Sequence, residues 1–174
     1  MDEDRLRLAA SAGRPTLPAL GPRGEGWIAL QTGLAVAALL AGGFAGPAWA
    51  GTARTVSDVA GLGLMAAGVG LFAWGTLTLG SSFSIWVDPR PAGSFIEDGP
   101  YRYLRHPVCT AQAVFGFGWA LLGASPLGLG LVAAYALYLE LGKLAREEET
   151  LLARYPEYAA YRRRVPHRLV PHIG

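Results

Sequence analysis

Long apolar runs, separated by short polar segments, dominate the pattern of this chain. Four of them approach the roughly 20 apolar residues that a membrane-spanning helix needs. They cover residues 27–49, 56–79, 108–122 and 127–141. The last two are short, and a helical hairpin that turns at Ala124-Ser125-Pro126 explains them best, because proline suits the first turn of a new helix. The pattern predicts an all-α fold: a polytopic integral membrane bundle of four transmembrane helices that ends in a helical hairpin.

The composition supports a membrane protein. Of the 174 residues, 52% are hydrophobic and 16% are charged, against about 25% charged residues in an average soluble domain. A soluble bundle would need polar helices around its apolar ones, and the chain is too small to supply them. We expect a flexible, proline-containing tail over residues 1–26 and one membrane domain over residues 27–174. A cleaved signal peptide is disfavoured, because the first apolar run begins only after this polar tail.

The basic residues are distributed unevenly along the chain. Of the 15 lysines and arginines, all but Arg54 fall in the N-terminal tail, the segment 80–106 or the C-terminal region. Four crossings place these three regions on one side, which the positive-inside rule makes cytoplasmic, together with both termini. The formal net charge of +2 is too small to indicate nucleic acid. Arg162 to Arg164 are better suited to anionic lipid headgroups.

Two polar blocks flank the predicted hairpin. Because a hairpin returns the chain to the side that it left, we expect the blocks to be neighbours at the membrane interface. Such a cluster either neutralises its own charges or binds a small zwitterion. The first block contains Tyr101, Arg102, Tyr103, Arg105 and His106, and the second contains Lys143, Arg146, Glu147, Glu148 and Glu149.

Other chemistries find less support in the sequence. A metal site needs more ligands than His106 and glutamates of uncertain direction, so none is predicted. The single cysteine, Cys109, excludes an intramolecular disulfide and a cysteine-based zinc cluster. It is better suited to apolar packing than to a nucleophilic role. The glycines and alanines of the second run indicate close helix packing in lipid.

The two blocks also resemble a known family. Residues 99–107 read G-P-Y-R-Y-L-R-H-P. With the hairpin between them, both blocks resemble the isoprenylcysteine carboxyl methyltransferases and their bacterial relatives, which are similar here to membrane phospholipid and thiol methyltransferases. The resemblance covers about residues 80–170. The second block carries it at Lys143, Glu147-Glu148, Leu151, Tyr155-Pro156, Tyr158, Tyr161, Val165 and Pro166.

Several positions depart from the family pattern. Cys109 stands where the family has tyrosine, Ala111 where it has glycine, and Lys143 where it has arginine. Tyr155-Pro156 replaces Phe-Gly. The change at Cys109 bears on the cofactor pocket or on the channel for the methyl acceptor.

The resemblance implies a membrane methyltransferase that uses S-adenosylmethionine in a pocket at the cytoplasmic interface of a bacterial inner membrane. It implies catalytic roles for Arg105 and Glu148, with Arg105 and Lys143 holding a carboxylate of the cofactor or of the acceptor. The implied cofactor-binding residues are Tyr101, His106, Pro107, Lys143, Glu147 and Glu148.

The implied acceptor is lipophilic, first of all the carboxylate of an isoprenylated cysteine. A phospholipid amine or a thiol is the alternative within the enzyme class, and a non-catalytic membrane scaffold or small transporter is the alternative outside it. We expect membrane lipids and a lipid or prenylated substrate as partners, and no nucleic acid.

Overall fold

The computed structural model describes residues 25–44, 47–84 and 95–169, and all regular secondary structure in these ranges is helical. The expected tail over residues 1–26 lies almost wholly outside the described residues. Short 3₁₀ turns cover Gly80–Ser82 and Gly99–Arg102. The helices are α1 (Glu25–Phe44), α2 (Gly51–Leu79), α3 (Pro107–Leu122), α4 (Pro126–Tyr138), α5 (Leu144–Arg154) and α6 (Tyr158–Arg164).

Three continuous helical stretches are long and apolar enough to cross a membrane: Glu25–Phe44, Gly51–Ser82 and Pro126–Arg154. The helix α3 is apolar but has only 16 residues. The all-helical prediction is therefore confirmed for the described residues, whereas the count of four crossings stays a prediction. The first helix ends at Phe44 and not at Trp49, because residues 47–50 are not helical.

Glycines bring α2 and α3 into close contact. Gly61, Gly68 and Gly75 recur every seven residues and are buried on one face of α2. A Cβ atom at Gly68 would lie 2.9 Å from the carbonyl oxygen of Ala111, so only glycine allows this approach. Gly70 has open space around its Cα instead. Close packing through small residues is confirmed for this one face of α2.

The predicted hairpin turn lies between α3 and α4, and Pro126 begins the new helix. The hydroxyl of Ser125 caps α4 by accepting a hydrogen bond from the Gly128 amide at 3.0 Å. It also donates to the carbonyl of Ala41 at 2.8 Å, which ties the turn to α1. Ala124, fully buried, adopts a positive φ of 47°, a conformation that few residues other than glycine adopt.

One π-helical turn, Leu139–Lys143, joins α4 and α5 into a continuous helix. A π turn adds a residue to the helical repeat and changes the direction in which the following side chains point. Leu139, the first residue of the turn, and Leu144, the residue after it, are fully buried. The predicted fourth run ended at Leu141 without any such feature. The turn sets the direction of the second polar block.

Candidate functional site

The two polar blocks meet at the end of the bundle opposite the hairpin turn. Nε of Arg105 donates to Oε1 of Glu148 at 2.6 Å, and Nε2 of His106 lies 3.3 Å from the same oxygen. Nζ of Lys143 lies 3.2 Å from Oε2 of Glu147, one helical turn further on. The predicted proximity of the blocks is thus confirmed, while the roles of their residues stay predictions.

Arg54 marks the other end of the bundle. Its guanidinium pairs with Asp58 at 2.9 Å and donates to the carbonyl of Leu122, the last residue of α3, at 2.8 Å. The first polar block lies instead near the C-terminal end of α2, where Gly99, two residues before the block, approaches Thr78. The separation of Arg54 from the polar blocks therefore agrees with the sequence, and which end faces the cytoplasm stays a prediction.

Glu148 is the centre of a buried ionic cluster. Its side chain is 2% exposed and contacts Arg105, His106 and Arg168, whose Nε lies 3.1 Å from Oε2. Nη1 of Arg105 also donates to the carbonyl of Val165 at 2.7 Å. A buried charge is tolerated only when it is paired and hydrogen-bonded. This carboxylate therefore fixes Arg105 and His106 in place.

The segment 165–169, after α6, runs alongside the start of α3. The amide of Arg105 donates to the carbonyl of His167 at 3.0 Å, and the amide of His106 donates to the carbonyl of Arg168 at 3.1 Å. The hydroxyl of Thr110 donates to the carbonyl of Leu169 at 2.8 Å. Sequence analysis did not predict this contact, because an irregular segment has no hydrophobic period.

A pocket of about 140 Å³ opens beside the ionic cluster. Four residues from the predicted set line it: Tyr101, Arg105, His106 and Glu147. Pro107, Lys143 and Glu148 are buried but do not line it. Cys109 also lines the pocket, as its departure from the family pattern suggested. Sequence analysis assigned no site role to the other lining residues, which include Ser82, Phe83, Phe95, Leu151, Tyr155, Tyr158 and Tyr161.

Aromatic rings form one wall of this pocket. The ring of Phe95 meets the rings of Tyr158 and Tyr161 edge-on, with centroids 6.0 and 5.3 Å away. The hydroxyl of Tyr161 donates to the carbonyl of Tyr101 at 2.7 Å, whereas the buried hydroxyl of Tyr158 has no hydrogen-bond partner among the described residues. Burial raises the pKa of all three tyrosines well above the usual value, so their hydroxyls stay protonated and neutral.

These residues fit the charged part of S-adenosylmethionine. A sulfonium and an ammonium group are attracted by a carboxylate, here Glu147, and by the faces of aromatic rings. The Tyr158 hydroxyl offers a hydrogen bond that no described residue uses. The pocket volume of about 140 Å³, measured over the described residues, is below the roughly 300–1,000 Å³ of sites for drug-sized ligands. Ser84 and Phe95 line the pocket, and residues 85–94 between them lie outside the described residues.

Comparison with known proteins gives two findings. A family model described as phospholipid methyltransferase matches residues 56–158, more than half of the chain. The cobalt-zinc-cadmium resistance protein CzcN of Cupriavidus metallidurans is 31% identical over 88 residues, which cover 48% of this chain and 38% of that protein. The family match includes most of α2, all of α3 to α5 and both polar blocks.

Proposed function

This chain belongs to the phospholipid methyltransferase family, and on that premise we propose that it is an integral membrane, S-adenosylmethionine-dependent methyltransferase acting on a lipophilic acceptor. The observation that carries the proposal is the pocket at the polar end of an apolar bundle, where a carboxylate and four tyrosines adjoin an arginine and a histidine. A polar cofactor reaches such a pocket from water, and a lipophilic acceptor reaches it from the bilayer.

In this proposal Glu147 binds the cationic groups of the cofactor. Its side chain is 23% exposed, pairs with Lys143 and lines the pocket, so a ligand there can reach it. Tyr158 donates its hydroxyl, and the rings of Phe95 and Tyr161 exclude water from the site. S-adenosylmethionine, when bound, supplies a methyl group activated by its sulfonium, and such a transfer depends mainly on alignment and on exclusion of water.

Glu148 and Arg105 act at different distances from the reaction in this proposal. Arg105 lines the pocket, where its guanidinium can hold a carboxylate of the cofactor or of the acceptor. Glu148 lies behind it and orients both Arg105 and His106, so it is a positioning residue. Pro107 begins α3 and fixes the direction of the residues before it.

The family supports more than one acceptor. The carboxylate of an isoprenylated cysteine, the first choice from sequence, is ionised at neutral pH and needs no base. A phospholipid amine fits the family description equally well and requires a base, for which Glu147 is the accessible carboxylate. A thiol is the third candidate. Membership of a methyltransferase family favours all three over a non-catalytic scaffold or transporter.

The test is transfer of a labelled methyl group. The protein in lipid nanodiscs is incubated with S-adenosylmethionine labelled in its methyl group and, separately, with an S-farnesylcysteine derivative, phosphatidylethanolamine and an alkyl thiol. We expect label in the organic extract with one of these acceptors, and a loss of at least tenfold in Glu147→Gln. Glu149→Gln is the matched control, because that half-exposed carboxylate pairs with Arg146 outside the pocket. No transfer to any acceptor class would refute the proposal.

A further inference from the structure

A second cavity, of about 430 Å³, lies between the long helices. Its size falls within the roughly 300–1,000 Å³ of sites for small molecules. Side chains of α1, α2, α3 and α4 line it, most of them apolar, such as Leu39, Phe72, Phe115 and Val132. These positions lie within the apolar helices, so the cavity is distinct from the polar pocket described above.

Thr32 and three further polar side chains interrupt this apolar lining, and those three form one hydrogen-bonded cluster. The hydroxyl of Tyr135 donates to Oε1 of Gln112 at 2.7 Å. Nε2 of Gln31 donates to the same oxygen at 3.1 Å and to the Tyr135 hydroxyl at 3.3 Å. The cluster joins α1, α3 and α4, and all three of its members line the cavity. Hydrogen bonds between helices in lipid are one explanation for such a cluster.

One hydrogen-bond acceptor of the cluster has no donor among the described residues. Oε1 of Gln31 is buried and accepts no hydrogen bond from any described residue. Hydrocarbon contains no water that would donate to it, so an unused acceptor at this depth is unfavourable. A molecule in the cavity that donates one hydrogen bond would complete the cluster.

The charge of the cavity restricts what such a molecule can be. None of the described residues that line it is charged. A phosphate, a carboxylate or an ammonium group would therefore lose its hydration without gaining an ionic partner. This excludes phospholipid headgroups and ionised acceptors from the cavity itself.

We propose that this cavity binds an uncharged lipophilic alcohol or phenol, whose apolar body fills the space between the helices and whose hydroxyl donates to Gln31. Tyr135 and Cys109 belong to one buried cluster, and Cys109 also lines the polar pocket. The polar end of the cavity therefore adjoins that pocket. The proposal needs no methyl transfer and stands independently of the proposed function.

The experiment is photo-crosslinking of a dodecanol that carries a diazirine in its chain, with the protein in nanodiscs. Unlabelled dodecanol and its methyl ether compete at equal mole fractions in the bilayer, so that different partitioning does not affect the comparison. We expect crosslinks in the cavity-lining parts of α1 to α4, and competition by the alcohol about tenfold stronger than by the ether. Equal competition would overturn the proposal, because the cavity would then accept any alkyl chain and the cluster would only join helices.

Variants separate the two parts of the site. Gln31→Leu should abolish the preference for the alcohol while the ether still competes, and a preference retained in this variant would contradict the assignment of Gln31. Val69→Trp should fill the cavity and reduce crosslinking at least tenfold. Val59→Trp is its matched control: both valines are more than half exposed on α2, but only Val69 lines the cavity. The comparison of alcohol with ether in the unaltered protein holds even if a variant fails to fold.

Discussion

Glu147 and Glu148 are adjacent in sequence and have opposite surroundings. The first is 23% exposed and lines the polar pocket, whereas the second is 2% exposed between two arginines and a histidine. Consecutive helical residues point about 100° apart, since a turn takes 3.6 residues. One carboxylate therefore faces the pocket while the next faces protein. Loss of the Glu148 carboxylate should therefore mainly reduce stability, and loss of the Glu147 carboxylate should mainly reduce ligand binding.

Glu148→Gln should lower thermal stability. Removing one partner of a buried ion pair leaves Arg105 uncompensated and costs about 3–5 kcal/mol of unfolding free energy. A melting curve in detergent measures this loss. Glu147→Gln is the comparison. It removes the charge partner of the buried Lys143 ammonium, but the carboxylate itself is partly exposed, so we expect a smaller fall in melting temperature than in Glu148→Gln. An equal loss in both variants would contradict the division between a pocket-facing and a protein-facing carboxylate.

Tyr158 and Tyr161 provide a second matched pair. Tyr158→Phe removes a hydroxyl that has no partner among the described residues, so stability should be unchanged or higher while affinity for S-adenosylhomocysteine falls. Tyr161→Phe removes the hydrogen bond to the carbonyl of Tyr101 and should cost about 0.5–1.5 kcal/mol of stability. Thermal unfolding with and without ligand measures both effects. A clear loss of stability in Tyr158→Phe would show that its hydroxyl has a structural role.

At the scale of helices, the close approach of α2 and α3 depends on glycine at defined positions. Gly61 and Gly118 meet so closely that a Cβ atom on Gly118 would lie 2.6 Å from the carbonyl oxygen of Gly61. The obstacle is backbone, which cannot move aside as a side chain can. Because Gly70 has open space around it, glycine content alone does not identify the contact face.

Gly68→Val should therefore destabilise the bundle, by about 1–3 kcal/mol, as overpacked interfaces do. Gly70→Val, two residues away on the same helix, should change stability little, because nothing lies within 4 Å of the added carbon. Chemical or thermal unfolding of both variants in one detergent checks the difference. Equal effects would mean that helix propensity, and not the contact with α3, determines the result.

Sequence predicted those elements that depend on local signals. The start of α4 at Pro126 and the proximity of Arg105 to the glutamates were both predicted. Both predictions depend on one local signal, the turn before Pro126. The π turn Leu139–Lys143 left no such signal, since its residues are ordinary helix formers and tertiary packing selects the extra residue. The contact of segment 165–169 with the start of α3 was missed for a related reason. Hydrogen bonds to the carbonyls of this segment hold it, from two backbone amides and from Thr110 and Arg105, and such bonds leave no periodic pattern in the sequence.

At the scale of the whole molecule, the two polar blocks and their pocket lie at one end of the described bundle, and the hairpin turn lies at the other. Thr52 and Leu127 are exposed near the turn, and Arg163 is exposed in α6 beyond the polar pocket. The proposed topology places these ends on opposite sides of the membrane. The α3 helix, with 16 residues, is the element that leaves full crossing to be tested.

Single cysteines test this topology in a Cys109→Ala background. Cysteines introduced at Thr52 and Leu127 should react with an impermeant maleimide only from the outside of intact cells. One at Arg163 should react only after the membrane is opened. Protection of the Leu127 cysteine from both sides would indicate a shallow hairpin. Labelling of the Thr52 and Arg163 cysteines from the same side would contradict the orientation of the bundle.

Equilibrium binding of S-adenosylhomocysteine to the purified protein in nanodiscs tests the central claim most directly, because it requires no knowledge of the acceptor. We predict saturable binding of one ligand per chain. Glu147→Gln should weaken it roughly ten- to a hundredfold, the effect of losing one charge-assisted hydrogen bond of about 1.5–3 kcal/mol, and Glu149→Gln should leave it unchanged. Absence of saturable binding at millimolar ligand, in protein that keeps its melting transition, would contradict the assignment of this pocket to the methyl donor.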